Sequence, residues 1–411
     1  MRVSSGIFHS MDQVGALNDY LLSQRRKATS NVVSRASLRT NIKLGSQSWQ
    51  GADWHHDIVL QTPARSSVPG VAVLEITGGE VNSLDVGRAR VACNALKIPV
   101  ATLFQIPNQP LWDRVEDDLI AHTLEQCLET GDPTWPLLFP MVQAVQGAME
   151  AVRRELGEDT QFILTGASKR GWTSWLAGLN LDGVMGIVPR VYDNLNVAEQ
   201  MAGQVRLWGG YSPRIDDYTR RALQSTLENP NGKAMARSID PYTYLSNKKV
   251  PVFMHLGSHD DYWRPDASRF YWDAIEGPKA ILVLPNEGHG IGDAAWDQPG
   301  LIESLRWIAK GKPLPHVSME TAGNEINFEF DAPIASWVAY RTESHTSWFG
   351  TSAWAVAGKG SDRQGTILLH ENQKYEGYLV VAKTEDGTLF GVPPLITFAG
   401  QDLALDRSHK Q

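Results

Sequence analysis

Three residue types that together make an alcohol nucleophilic lie along this chain in a chemically readable order: Ser168, then the adjacent Asp260 and Asp261, then His289. Near neutral pH a serine hydroxyl attacks a carbonyl only when an imidazole takes its proton and a carboxylate orients that imidazole. Each candidate follows a short apolar run: "QFILTG" before the serine, "VPVFMHLG" before the aspartates, "KAILVLPN" before the histidine. In "ILTGASKRGW" the strand pattern ends at Gly166 and a helical pattern begins just after Ser168, so the turn between them is very short. Such a turn strains the serine backbone, lifts Oγ above the strands and sets the next N–H at a helix N-terminus. The alternative is a turn serine that merely caps the helix.

A tetrahedral intermediate also needs hydrogen-bond donors for its oxyanion. The N–H of Lys169 is one candidate and that of Gly79, in "LEITGGEVNS", is the other; a glycine pair after a strand is equally an ordinary turn. Among the other histidines, His255 lies within a strand pattern, His259 precedes the carboxylate it would need, and His55 and His56 fall in an early edge segment, so these read as structural. Metal-ligand residue types cluster at His259, Asp260, Asp261, Asp266, Glu287, His289 and Asp293, without a metal-binding spacing. No metal and no cofactor is expected.

The elements that must position these groups are legible as alternation. Strand candidates at 57–62, 71–77, 100–106, 161–166, 184–191, 250–257 and 279–286 are separated by helical patterns at 115–130, 136–156 and 299–311. That rhythm predicts a mostly parallel α/β sheet with helices on both faces, of the α/β-hydrolase type, in which reactive groups collect beyond the strands' carboxyl ends. Residues 195–247 interrupt it and read as a lid insertion. From 317 to 411 apolar and polar residues alternate without helices, predicting a small β-sandwich domain. The expected division is a helical or irregular segment over 1–45, an α/β domain over 46–312 and a β-sandwich over 317–411.

Composition excludes other classes. With 411 residues, 42% of them hydrophobic, and a net charge of -8, the chain suits a large globular core and lacks the basic surface that nucleic acid would require. The basic run Arg25, Arg26, Lys27 reads as a solvated helix end, and Cys93 and Cys127 as inert core thiols or one disulfide. No segment is apolar enough to span a membrane, and the first thirty residues lack a secretory signal pattern. The expected location is the cytoplasm if Met1 is the native start, and otherwise an exported compartment.

The stretches "SQSWQGADWHHDIVLQTP", "ITGG", "LTGASKRGWTSWLAG", "GGYS", "IDPYTYL" and "DDYWRPDASRFYWDAIEGPKAILVLPNEGHG" resemble the PhoPQ-activated pathogenicity-related (PqaA type) family, which includes autocrine proliferation repressor-like proteins. The resemblance implies an α/β-hydrolase-like fold with a β-rich C-terminal domain, Ser168 as nucleophile, Asp260 as acid and His289 as base. It also makes Lys-Arg-Gly after the serine the family's version of the elbow, where Arg170 stands in a position usually kept small. Asp261 occupies a position more often Glu, which leaves two carboxylates as candidates for the acid. The reading is a serine hydrolase acting on a small-molecule ester or a peptide-like amide, with Arg170, Trp208 and Tyr211 binding substrate. Arg170 and Lys169 would pair with a substrate carboxylate, unless Arg170 is tied to a buried acid such as Asp193. The rival reading is a non-catalytic binding or signalling protein on a hydrolase scaffold.

Overall fold

The computed structural model describes residues 15–25, 27–369, 374–398 and 401–403. The chain begins with α1 (Ala16–Gln24), β1 (Thr29–Ala36), β2 (Arg39–Trp49), β3 (Ala52–Gln61), β4 (Val71–Ile76), α2 (Ser83–Leu96) and β5 (Val100–Leu103). It continues through α3 (Glu116–Thr130), α4 (Leu138–Leu156), β6 (Gln161–Ala167), α5 (Lys169–Asn180) and β7 (Val184–Arg190). The insertion supplies α6 (Val197–Trp208), α7 (Asp216–Thr219), α8 (Leu223–Thr226) and α9 (Pro230–Ile239), after which β8 (Val252–Gly257), β9 (Lys279–Leu284) and α10 (Leu301–Ala309) complete the α/β part.

Strands run β1-β2-β3-β5-β4-β6-β7-β8-β9 across the sheet, parallel from β5 to β9, with β3 antiparallel to β5. The chain order reverses around β4, because β5 is laid on one side of it and β6 on the other; that is where open α/β sheets leave a crevice. The expected parallel strands are all present. They are apolar on both faces because helices cover both: residues of α3, α4 and α5 share one buried cluster, those of α2 and α10 another.

Two expectations change. The segment before residue 46, read as helical or irregular, is mostly the β1–β2 hairpin, which extends the main sheet through β3. Its Ser, Thr, Asn and Arg residues look loop-like in the sequence because β1 lies at the edge with most positions exposed. Residues 1–14 and Arg26 lie outside the described residues, while Arg25 and Lys27 are exposed.

Beyond α10 come β10 (Val317–Ala322), β11 (Glu325–Phe330), β12 (Ile334–Ser344), β13 (Ala355–Gly360), β14 (Gln364–Leu368), β15 (Tyr375–Thr384), β16 (Leu389–Gly391), β17 (Leu395–Phe398) and β18 (Gln401–Asp402). A three-stranded sheet β10-β11-β14 faces the β12–β15 layer, with Phe328 edge-on to Trp337 at 4.9 Å. The second layer is not separate from the α/β sheet, since β16 pairs with β9 through Gly391 and Ile281. The β region also shares a buried cluster with α2 and α10. Among the described residues no helix is long and apolar enough to cross a membrane.

Candidate active site

Ser168 sits between β6 and α5 with φ 55 and ψ -124, a backbone conformation that L-residues avoid unless the surroundings impose it. Its N–H donates to the Arg190 carbonyl at the end of β7 (2.9 Å). The tightness of the elbow explains its glycines. A Cβ on Gly166 would lie 2.6 Å from the Arg170 carbonyl oxygen, and one on Gly171 would lie 2.9 Å from that of Arg190. The second small residue is thus needed three positions after the serine, where α5 crosses β7, and Arg170 is free to be large.

The Oγ of Ser168 lies 3.0 Å from His289 Nε2, and His289 Nδ1 lies 2.8 Å from Asp260 Oδ2. His289 opens a 3-10 helix after β9, its ring 4.2 Å from that of Tyr262. Asp260 is 8% exposed and its other oxygen accepts the Tyr262 N–H (3.2 Å). Asp261 faces away from the imidazole and pairs with Arg214 Nε at 2.8 Å. The loops carrying acid and base are tied together, the His259 N–H donating to the Glu287 carbonyl (2.8 Å) and the Asn286 N–H to Ser258 Oγ (2.8 Å). The β region clamps both from outside. His259 Nε2 contacts the Ser352 carbonyl at 2.8 Å, and Asn286 exchanges two hydrogen bonds with the backbone of Trp354.

Lys169 begins α5, so its N–H has no partner within the helix and is free to serve an oxyanion. Gly79 and Ser168 line the same cleft, with open space around Gly79. The neighbouring Gly78 leaves room for Arg170, whose guanidinium fills the place a Cβ would take.

Arg170 lines the cleft with Ser168 and Gly79, but its guanidinium is engaged within the protein. Its Nη1 and Nη2 donate to Glu116 at 2.9 and 2.6 Å and its Nε to the Ile106 carbonyl at 2.5 Å. The acid that holds Arg170 is thus the half-buried Glu116 and not Asp193, which accepts from Tyr271 Oη at 2.5 Å. Lys169 Nζ is likewise taken, 2.8 Å from Asp117 and 3.2 Å from Glu116. Burial works to raise the Glu116 carboxyl, but the Arg170 fork, the Lys169 charge and the Gln109 amide together hold it down to about 2. Trp208 Nε1 donates to the Ser347 carbonyl (3.1 Å) and its ring packs on Trp348, which docks the end of α6 on the β region. Neither Trp208 nor Tyr211 lines the cavities at Ser168; of the insertion's aromatic residues, Tyr218 does. Glu116 escaped the sequence reading because it lies 54 residues before Arg170; the acidic run at 116–118 opposite the Lys169–Arg170 pair was the available signal.

Two hollows meet at the serine. One, enclosing about 870 Å³ with its mouth, is walled by Trp172, Met201, Ile215, Leu223, Met235 and Ile239 and roofed by the insertion. The other, about 1150 Å³ with its mouth, is lined by Glu75, Thr77, Gly79, Gln109, Arg190 and Asp293. His255 and His56 stay in the core, bonded to Ser304 and Ser46 respectively, and burial lowers their pKa values to about 3 and about 4. Both cysteines are free thiols. Among the described residues no three His, Cys, Asp or Glu side chains converge as metal ligands would.

The strand order and the elbow define an α/β-hydrolase fold. Within that class the chain belongs to the family described as PhoPQ-activated pathogenicity-related protein, which it matches over residues 17–347. Autocrine proliferation repressor protein A of Dictyostelium discoideum is 30% identical over 273 residues, covering 61% of this chain. The match spans 55% of that relative's length. Among solved structures, an acetyl xylan esterase from Paenibacillus sp. R4 aligns with 74% of this chain and 99% of its own at 14% identity and a TM-score of 0.49. The acylaminoacyl peptidase of Pyrococcus horikoshii aligns with 62% of this chain and 40% of its own at 15% identity and a TM-score of 0.41.

Proposed function

We propose that the protein is a serine hydrolase that cleaves an ester or amide through an acyl-enzyme. The observation that carries this reading is the pair of contacts at His289, 3.0 Å to Ser168 Oγ and 2.8 Å to Asp260 Oδ2. Ser168 Oγ attacks the carbonyl carbon as His289 Nε2 takes its proton, and Asp260 holds the ring in the tautomer that leaves Nε2 basic. The oxyanion is received by the N–H groups of Lys169 and Gly79. As the tetrahedral intermediate collapses, the bond to the leaving alcohol or amine breaks and the imidazolium proton goes to it. Water then attacks the acyl-enzyme, giving its proton to His289, and the acid is released with Ser168 Oγ reprotonated. The apolar hollow takes an aliphatic or aromatic portion of the substrate, since its walls gain by shedding water against such a group.

The test is covalent labelling by a fluorophosphonate, followed by turnover of a panel of p-nitrophenyl esters and aminoacyl anilides. Labelling of the wild type that disappears in Ser168→Ala, with kcat falling by about 10³-fold or more, is expected. A wild type that neither labels nor turns over any member would overturn the reading in favour of a binding role for the scaffold.

A further inference from the structure

The polar hollow contains a charged group that the proposed mechanism leaves unused. Arg190 ends β7 and is 2% exposed at the cleft wall. Its Nε and Nη1 are shielded from solvent and have no hydrogen-bond partner among the described residues. Among the described residues its one ion pair is Nη2 to Glu75 Oε1 at 3.5 Å, long for a charge-assisted hydrogen bond, and the Asp293 charge acts on it from further off. Glu75 is a weak counter-ion. Burial pushes its carboxyl pKa up, against the Arg190 charge, and its other oxygen already accepts from Trp296 Nε1 (2.7 Å) and Thr102 Oγ1 (3.2 Å).

A buried guanidinium with idle donors is costly, because water that once satisfied them has been removed without replacement. The same residue's carbonyl accepts the Ser168 N–H, so the idle donors belong to the residue bonded to the backbone of Ser168. The second guanidinium on this cleft, that of Arg170, is engaged by Glu116. Two further carboxylates line it: Asp293 is exposed, and Asp85 is half-buried and accepts from Asn82 Nδ2 at 2.7 Å. These acids disfavour anions gathered loosely in the cleft, so a negative group gains only by reaching the guanidinium itself.

We infer that the polar cleft is a subsite for a carboxylate carried by the substrate, received at the Nη2 edge of the Arg190 guanidinium while the scissile carbonyl lies at Ser168. A planar carboxylate can take one two-pronged edge of the guanidinium, Nη2 with Nη1 or Nη2 with Nε, and supplies an acceptor closer than Glu75 at 3.5 Å. The inference rests on the hydrolase reading above and adds a substrate class to it: esters or amides with an acidic group on one side of the scissile bond and an apolar group on the other.

Two matched substrate pairs test it. In one, the carboxylate is on the acyl side: the p-nitrophenyl monoester of glutaric acid against its carboxamide analogue. In the other it is on the leaving group: the butanoate ester of 4-hydroxybenzoate against that of 4-hydroxybenzamide. The expected result is a kcat/KM at least about tenfold higher for the carboxylate in one pair, falling to about parity in Arg190→Gln. The pair that responds shows which side of the carbonyl occupies the cleft. If Arg190→Gln does not fold, the Glu75→Gln/Arg190→Gln double variant removes both buried charges and must show the same loss of preference. No carboxylate preference in either wild-type pair, or a preference that survives loss of Arg190, overturns the inference. If fluorophosphonate labelling and neutral-ester turnover persist in that case, the hydrolase reading stands alone; if they too are absent, both fall.

Discussion

The two hollows that meet at Ser168 are built by different physics. The apolar one is roofed by α6 to α9, short helices of an insertion whose ends are held by caps such as Asp240, which accepts the N–H groups of Asn196, Val197 and Tyr242. The polar one is floored by strand ends of the sheet itself, at β4 and β7. Hydrophobic recognition by packed helices is graded, rising with each apolar group that leaves water, whereas recognition by a buried guanidinium is close to all-or-none. A site joining both would tolerate variation at one end of a substrate and refuse it at the other.

The largest predicted effect concerns the proposed reacting centre at Ser168, which both hollows line. Asp260→Asn should lower kcat by about 10³- to 10⁴-fold, because an amide at that position favours the wrong histidine tautomer. Asp261→Asn, one residue along, should cost less than about tenfold, since that carboxylate pairs with the half-exposed Arg214 and does not touch the ring. Steady-state kinetics on one reactive ester decide it. Equal losses in the two variants would mean that the acid is not uniquely Asp260.

A smaller effect separates the hollows from each other. Along a series of p-nitrophenyl esters, each added methylene that reaches the apolar hollow should raise kcat/KM by about fourfold, the equivalent of ~0.8 kcal/mol, until the space is filled. Ala236→Trp places an indole into that wall and should flatten the series, while the carboxylate preference attributed to Arg190 persists. If Ala236→Trp abolished the carboxylate preference and left the methylene slope intact, the assignment of the two hollows would be reversed.

The same contrast governs what could be read in the sequence. The parallel strands were legible because burial on both faces leaves uninterrupted apolar runs such as "FIL" and "AILVL", and strand order then places Ser168, Asp260 and His289 on one rim. The choice between Asp260 and Asp261 was not legible, because two consecutive loop residues point apart by local turn geometry that composition does not encode. Arg170 was legible as a charge beside the serine, with an ion pair to an acid as one of its readings, but the partner was not, since Glu116 comes from the start of α3. Arg190 was visible only as a charged residue closing an apolar strand, "VMGIVPR". In the sequence, Trp208 and Tyr211 read as substrate-binding because they are aromatic residues within the insertion at 195–247. In the fold, Trp208 holds that insertion to the β region, a contact spanning 139 residues.

The smallest effect tests the ion pair that engages Arg170 with Glu116. The Glu116 carboxyl titrates near 2 where its ordinary value is 4.5. A carboxyl depressed by folding stabilises the native state above its ordinary pKa, and that contribution is lost as pH falls from about 4.5 toward 2. Thermal melts across this window should therefore show a steeper acid decline for the wild type than for Glu116→Gln, the two curves converging at the acid end. Because the Glu116 side chain is 38% exposed, solvent screening keeps the difference modest, and raising the salt concentration should shrink it further. Parallel curves would show that Arg170 is held chiefly by the Ile106 carbonyl. Its guanidinium would then be free to compete with Arg190 for an acidic substrate, and the sharp division between the two hollows would weaken.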